Sequence, residues 1–233
     1  GVLYLENTVP HISTVFITHA TFTGRALSGS GQPFYSRFDT HNGDQAAKDF
    51  HVTAQHSLEK SSAITADAFT TVSNNTAREC QQLLGKAVDK VTTNGFDDSF
   101  LPEMAQFDKK RSESREKLLK IASAVVGYKI GHDAILVATS GRYEYRNKGL
   151  DIFIDAMAHL KGKEAIEKEI VAFVLVPAGH TIAIPEVCSG LETENFTRGN
   201  APTALTHYLQ DPVHDLILNQ IKINGMTNSH DSK

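Results

Sequence analysis

The feature that most constrains the fold is the alternation of short β-rich runs with helical patterns along the chain. Strands are predicted at 14–18, 67–72, 89–93, 134–139 and 170–176, and the last two are predicted to be buried because they are apolar. Helices with apolar residues every three or four positions are predicted at 44–61, 76–86, 114–129 and 148–160. Strands that alternate with helices favour parallel sheets in an α/β protein.

The segment 96–110, which carries Pro102, is predicted to be an irregular linker that divides this pattern. Three strands precede it and two follow it, so we predict two partial Rossmann-like domains with parallel sheets. The first covers residues 1–110, including the linker, and the second covers residues 111–233.

Several local features complete the predicted map. Thr76 and Glu79 form the pattern of a capping box at the start of their helix. Residues 178–200 are predicted to be mostly loop. Two further helices are predicted at 202–210 and 212–223, the second with Asp211 as its cap.

The composition excludes several functional classes. The net charge of −4 does not favour nucleic acid as a partner, and the longest apolar run, Ile170 to Ala178, is too short to cross a bilayer. The two cysteines predict no disulfide framework and therefore a reducing, cytoplasmic setting. The sequence has no glycine-rich dinucleotide or Walker motif and no metal-ligand spacing of cysteines, so we expect neither a cofactor nor a metal.

Polar and cationic side chains follow the predicted strands at the position where open α/β sheets bind ligands. His19 and Arg25 follow the first strand, Asn94 follows the third, and Arg142 and Lys148 follow the fourth. The carboxyl ends of the strands are therefore the predicted location of the site.

Arg142 and Lys148 are the most informative of these residues. An arginine fork, a lysine and the free N–H groups at the start of a helix suit a diphosphate. The alternative is a surface arginine and a surface lysine beside a turn. Arg25 could supply a second guanidinium to the same phosphates, and His19 and Asn94 could bond sugar hydroxyls. Each of these three could equally be a structural residue at a strand end or turn.

The residues that carry a family resemblance are Thr18-His19-Ala20-Thr21-x-x-Gly24-Arg25, Thr71-Val72-Ser73, Asn94-Gly95 and above all Gly141-Arg142-Tyr143-Glu144-Tyr145-x-Asn147-Lys148-Gly149. This pattern resembles the glycogen synthases of the animal and fungal type, glycosyltransferase family three, which have the two-domain GT-B fold. The resemblance runs from about Val2 to Gly225.

The resemblance implies retaining transfer of glucose from UDP-glucose to the non-reducing end of an α-1,4-glucan such as glycogen. It implies that Arg142 and Lys148 bind the donor diphosphate from a nucleotide-side second domain, that Arg25 reaches it from an acceptor-side first domain, and that His19 faces the transferred glucose. The catalytic residues implied are thus His19, Arg25, Arg142 and Lys148, and Asn94 joins Arg25, Arg142 and Lys148 as a substrate-binding residue.

The resemblance also places a glycine-rich loop before Gly1 and a carboxylate motif after Lys233. We therefore expect this chain to be the central piece of the enzyme, inactive alone. An exposed sheet edge could pair with a second copy to give a homo-oligomer. Two alternatives remain open, namely a non-catalytic folded fragment and another GT-B glycosyltransferase with a different sugar donor.

Overall fold

The computed structural model describes residues 1–161, 163, 167–197 and 204–226. It divides the chain into two compact units, Gly1–Asp98 and a second unit from Ser99 onward. Both units contain helices and a parallel sheet, which confirms the predicted α/β class. The assignment of acceptor-side and nucleotide-side domains stays a prediction.

The first unit is built around a three-stranded parallel sheet of order β1-β2-β3. Its elements are α1 (Val2–Thr8), β1 (Val15–Thr18), α2 (Phe22–Gly29), a 3-10 helix (Tyr35–Thr40), α3 (Gly43–Asp49), α4 (Thr53–Thr65), β2 (Ala68–Thr71), α5 (Asn74–Glu79) with a π-helical turn (Cys80–Leu84), and β3 (Lys90–Val91). The central strand β2 is the most enclosed, because Phe69, Thr70 and Thr71 are all buried.

Two apolar clusters form the core of this unit. In the first cluster, Phe69 packs with Ala63, Cys80 and Leu84. The other joins α2 and α3 to the 3-10 helix and the π-helical turn through Leu27, Phe34, Phe38, Ala46 and Leu83. The strand ends of the first unit are therefore carried on a closely packed frame.

The single helix predicted at 44–61 is wrong, because the chain breaks there into α3 and α4. His51 adopts a left-handed backbone with φ of 57°. The Val52 amide then donates to the Ala47 carbonyl at 2.9 Å, and the Thr53 hydroxyl donates to the same oxygen at 3.2 Å. These bonds satisfy the Ala47 carbonyl near the end of α3, and α4 then begins as a separate helix.

The predicted capping box of Thr76 and Glu79 is also wrong. The N-cap of α5 is Ser73, whose hydroxyl accepts a hydrogen bond from the Thr76 amide at 3.1 Å. The Glu79 carboxylate instead accepts from the Tyr35 hydroxyl at 2.7 Å and from the Thr21 hydroxyl at 3.3 Å. The Glu79 side chain therefore bonds to residues far away in the sequence and not to the start of its own helix.

The second unit contains a two-stranded parallel sheet and a separate antiparallel pair of strands. Its elements are α6 (Met104–Val126), β4 (Ile135–Ser140), α7 (Leu150–Leu160), β5 (Ile170–Leu175), β6 (His180–Ala183), α8 (Pro185–Thr193), β7 (His207–Leu209) and α9 (Leu216–Ile223). β4 pairs with β5 in register from Ile135 beside Ile170 to Ser140 beside Leu175.

Several boundaries in this unit correct the sequence predictions. α6 begins at Met104 within the predicted linker, although its first half is exposed and lacks an apolar stripe. In the predicted loop 178–200, residues 180–183 form β6 and residues 185–193 form α8, and residues 198–200 lie outside the described part. In the predicted helix 202–210, residues 207–209 instead form β7, which pairs with β6, and residues 202 and 203 lie outside the described part. The last helix starts at Leu216 with Asp215 as its cap, four residues after Pro212.

Within the described part of the chain, no helix is both long and apolar enough to cross a membrane. Cys80 is buried and Cys188 is exposed, and both are free thiols.

Candidate functional site

The segment from Gly141 to Gly149 links the carboxyl end of β4 to the start of α7. The Gly141 amide donates to the Leu175 carbonyl of β5 at 3.2 Å, so it continues the sheet by one residue. Gly141 has φ of 152°, a backbone conformation that residues with a side chain rarely adopt. Its missing side chain would lie 3.7 Å from Cδ of Lys148, which places the stem of that lysine beside the strand end.

Arg142 follows directly and is exposed, with 64% of its side chain accessible. Its Nε lies 3.1 Å from Oε1 of Glu144. This pair engages one of the five N–H donors of a guanidinium. Because the arginine end of the pair faces solvent, a phosphate can reach Arg142 and compete with Glu144 for it.

Lys148 lies two residues before Leu150, where α7 begins, whereas the predicted helix begins at Lys148 itself. Gly149 is the N-cap in a left-handed conformation, with φ of 63°. The Leu150 amide donates to the Tyr145 carbonyl at 3.0 Å, and the Ile152 amide donates to the Asp151 carboxylate at 2.9 Å. The expectation of free N–H groups at this helix start is therefore wrong for these two amides, and an anion here would depend chiefly on the side-chain cations.

Two tyrosines of the same segment turn inward and anchor it. Tyr143 and Tyr145 pack against the cluster formed by Leu150, Ile154 and Ile217. The Tyr143 hydroxyl donates to Oδ2 of Asp215 at 2.8 Å and accepts from the Ile217 amide at 3.1 Å. Burial, together with the neighbouring Asp215, raises the pKa of Tyr143 to about 12, so the hydroxyl stays protonated. The sequence motif includes these tyrosines, but the sequence alone did not predict that they anchor the segment.

The three predicted site residues of the first unit lie in exposed positions. His19 is exposed in the segment between β1 and α2, and Arg25 is exposed within α2. Asn94 is exposed three residues after β3 in a segment without regular structure, so the turn that the Asn94-Gly95 pair predicts is absent there. His19 and Arg25 both follow β1, one in the segment before α2 and the other within α2.

Two buried glutamates, which sequence reasoning missed as a pair, hold the start of α2. The Glu59 side chain accepts from the Thr18 hydroxyl through Oε1 at 2.7 Å and from the Phe22 amide through Oε2 at 3.0 Å. Glu79 accepts from Thr21, whose hydroxyl also caps α2 by accepting from the Gly24 amide at 3.0 Å. Burial raises the pKa of Glu59, and the bonds from Thr18 and Phe22 oppose that rise.

Gly24 has a packing role in this arrangement. A Cβ at this position would lie 2.5 Å from Oγ1 of Thr21 and 2.6 Å from Oε2 of Glu79, closer than real contacts allow. A glycine therefore lets α2 close onto Glu79, and the next residue, Arg25, is placed by that contact.

A histidine-centred chain of polar contacts lies on the other side of α2. Nδ1 of the buried His56 lies 2.9 Å from Oγ1 of Thr23, and its Nε2 lies 2.8 Å from Oδ1 of Asp44. Lys60 donates to both oxygens of Asp44, and the bonds from Lys60 and His56 lower the pKa of that carboxyl. Because Thr23 is fully buried, its hydroxyl is not accessible to a ligand, and this chain of contacts supports α2.

Comparison with known proteins identifies relatives for most of the chain. The family model described as glycogen synthase matches residues 2–188. The glycogen [starch] synthase of Neurospora crassa is 32% identical over 188 residues, which cover 77% of this chain and 26% of that protein. Isoform 2 of Saccharomyces cerevisiae is 33% identical over 189 residues, covering 77% and 26%, and the liver protein of Rattus norvegicus is 31% identical over 176 residues, covering 72% and 25%. The chain thus spans about a quarter of the length of these relatives.

Proposed function

Because this chain belongs to the glycogen synthase family, we propose that it is part of a retaining glycosyltransferase that moves glucose from UDP-glucose to the non-reducing end of an α-1,4-glucan. The observation that carries the proposal is the segment from Gly141 to Gly149. It presents an exposed Arg142 and a Lys148 packed beside Gly141 at the carboxyl end of β4, on a frame fixed by two partly buried tyrosines.

In this proposal Arg142 and Lys148 bind the diphosphate of the donor. As the bond between the glucose C1 and the phosphate oxygen breaks, negative charge accumulates on the departing UDP. Cations placed where charge develops lower the barrier more than they stabilise the substrate. The acceptor hydroxyl oxygen forms the new bond to C1, and its proton passes to the leaving phosphate.

The roles that the family resemblance implies for the first unit remain part of the proposal. Arg25 is proposed to contact the diphosphate, Asn94 to bond a sugar hydroxyl, and His19 to face the transferred glucose. Their exposed positions after β1 and β3 support such roles. The proposal includes no metal and no cofactor, and it keeps the cytoplasmic setting.

The test is an assay of the purified full-length protein with radiolabelled UDP-glucose and glycogen, run beside ADP-glucose. We expect incorporation into glycogen from UDP-glucose, with ADP-glucose the poorer donor. Preference for a different sugar nucleotide would instead support another GT-B transferase. No transfer from any nucleotide sugar would support a non-catalytic module and overturn the proposal.

A matched pair of lysine variants tests whether Lys148 itself contacts the donor phosphate. Lys148→Met removes the cation beyond the carboxyl end of β4, whereas Lys168→Met removes an exposed one before the amino end of β5. Losing a charged partner of a phosphate costs about 1.5–3 kcal/mol, so Lys148→Met should lower kcat/KM for UDP-glucose roughly tenfold to a hundredfold. Lys168→Met should stay within about twofold.

A further inference from the structure

We propose that Glu59 is a positioning residue for His19, because its one carboxylate joins the end of β1 to the start of α2 and fixes the three residues between them. The inference rests on the proposed function, since the position of His19 matters for catalysis only if His19 faces the transferred sugar. Glu59 itself touches no substrate in this account.

The contacts bracket His19 on both sides. Oε1 of Glu59 lies 2.7 Å from the hydroxyl of Thr18, the residue before His19, and Oε2 accepts from the amide of Phe22, three residues after it. Glu59 is only 5% exposed and Thr18 only 6%. His19 lies in the exposed part of the same segment. The backbone is thus held from the interior while the imidazole remains accessible to a ligand.

Both flanks of the bracket are tied to the rest of the first unit. The Thr71 hydroxyl donates to the Thr18 carbonyl at 2.7 Å, which fixes the end of β1 to β2. Thr21 bonds to Glu79, and Gly24 leaves no space for movement of α2 toward that carboxylate. Glu59 is the group that spans from one flank to the other.

The chemistry of the contacts predicts which replacements can work. Glutamine can accept from the Phe22 amide through its oxygen and donate through its amide nitrogen to Thr18, whose hydroxyl can donate to the Ala20 carbonyl 3.2 Å away. Leucine has a similar size but makes neither bond. The positioning role therefore predicts that Glu59→Gln is tolerated and that Glu59→Leu is not.

The experiment compares these variants in the full-length protein, with Thr18→Val as a milder break of the same bracket. Leu84→Ala is the matched control, because Leu84 is fully buried in the core of the same unit but belongs to the cluster with Ala63, Phe69 and Cys80. Each variant is assayed for kcat and for KM with UDP-glucose. Hydrogen exchange of the Phe22 amide is measured in parallel.

We expect Glu59→Leu to lower kcat at least about tenfold with a KM change below about threefold, since a displaced group loses transition-state contacts more than donor binding. Thr18→Val should lower kcat less, and Glu59→Gln should stay within about threefold of the wild type. The Phe22 amide should exchange faster in Glu59→Leu but not in Leu84→Ala or Glu59→Gln. If Glu59→Leu does not fold, Thr18→Val carries the test alone.

Wild-type kcat in a folded Glu59→Leu would overturn the positioning role, and so would wild-type kcat in Thr18→Val should Glu59→Leu fail to fold. An equal loss of kcat in Leu84→Ala at matched stability would also overturn it, since general loosening of the unit would then explain the effect. Both results leave the proposed function intact if the wild type transfers glucose. A wild type without transfer from any nucleotide sugar would overturn the proposed function, and the positioning role with it.

Discussion

The two units hold their strand-end residues by different physical means. In the first unit, buried carboxylates reach across from α4 and α5 to the start of α2, and three of the four residues of β2 are buried. In the second unit, the residues of β4 and β5, all of them described, include none that is buried, and the segment after β4 is anchored by Tyr143 and Tyr145. Both frames use contacts between distant parts of the chain, but the first makes them through buried carboxylates and the second through two partly buried tyrosines, one of which bonds to Asp215.

The second unit also encloses less of its apolar surface. A cavity of about 630 Å³ lies along β5, with Ile121, Val125, Phe153, Val174 and Ile217 among its lining residues. Strands 134–139 and 170–176 were predicted to be buried from their apolar composition, and this prediction is wrong for Ile135–Ser140 and Ile170–Leu175. An apolar run predicts a strand, but the strand is buried only where other elements of the structure cover it.

The largest expected difference between the units concerns a matched pair of phenylalanines. Phe69 in β2 is fully buried, whereas Phe173 in β5 is partly buried. Phe69→Ala should destabilise the first unit by about 3–5 kcal/mol, the usual cost of emptying a core position. Phe173→Ala should cost clearly less, because part of its surface already contacts solvent.

Hydrogen exchange measured by mass spectrometry can follow peptides of each unit separately and so report both variants in one protein. An equal or larger loss for Phe173→Ala would contradict the contrast between the two sheets.

A smaller effect is expected from a pair of glycines within the first unit. Gly24→Ala forces a Cβ against Thr21 and Glu79, so it should cost about 1–3 kcal/mol, as overpacking does. Gly95→Ala has open space around its new carbon and should change stability by less than about 0.5 kcal/mol. Urea denaturation checks both. If Gly24→Ala is as stable as the wild type, α2 can move away from Glu79 and the close contact there is not a constraint.

The smallest effect is a difference in pH dependence between two glutamates. Burial raises the pKa of Glu59, so its contribution to stability is present below the ordinary pKa of about 4.5 and is lost as pH rises through the folded value. Hydrogen bonding and attraction from Lys120 lower the pKa of the exposed Glu194, so its contribution is present above the ordinary value and is lost as pH falls.

The wild type should therefore lose stability relative to Glu59→Gln as pH rises above about 4.5, and relative to Glu194→Gln as pH falls below it. Unfolding free energies of the three proteins across this range give both slopes. Slopes of the same sign would show that the two carboxyl groups do not differ in burial as described.

Much of the segment from Gly141 to Gly149 could be predicted from the sequence, because its residues lie close together along the chain. Gly141, Lys148 and Gly149 lie where a strand end and a helix start require them. The bracket around His19 could not be predicted, because Glu59 lies 41 positions from Thr18 and belongs to a helix whose pattern indicates only an ordinary face. Buried polar contacts between distant elements leave no periodic signal.

The missed elements have equally specific causes. The start of α6 lacks an apolar stripe, and its mixed charges include Lys109 and Glu113 one helical turn apart. α8 carried a detectable signal, since Pro185 occupies the first helical position and Val187 and Leu191 follow at helical spacing. β7 depends on its pairing with β6, so no local pattern could indicate it.

The central claim is that Arg142 binds the diphosphate of the donor, and its most direct test is UDP binding by Arg142→Ala in the full-length protein. Calorimetry should show affinity for UDP reduced about tenfold to over a hundredfold, with kcat/KM for UDP-glucose falling at least as far. The unfolding free energy should change by less than about 1 kcal/mol, because the side chain of Arg142 is exposed. Arg111 is an exposed arginine of α6, so the control variant Arg111→Ala should bind UDP like the wild type. Wild-type affinity and turnover in Arg142→Ala would show that Arg142 is a surface residue and would contradict the account.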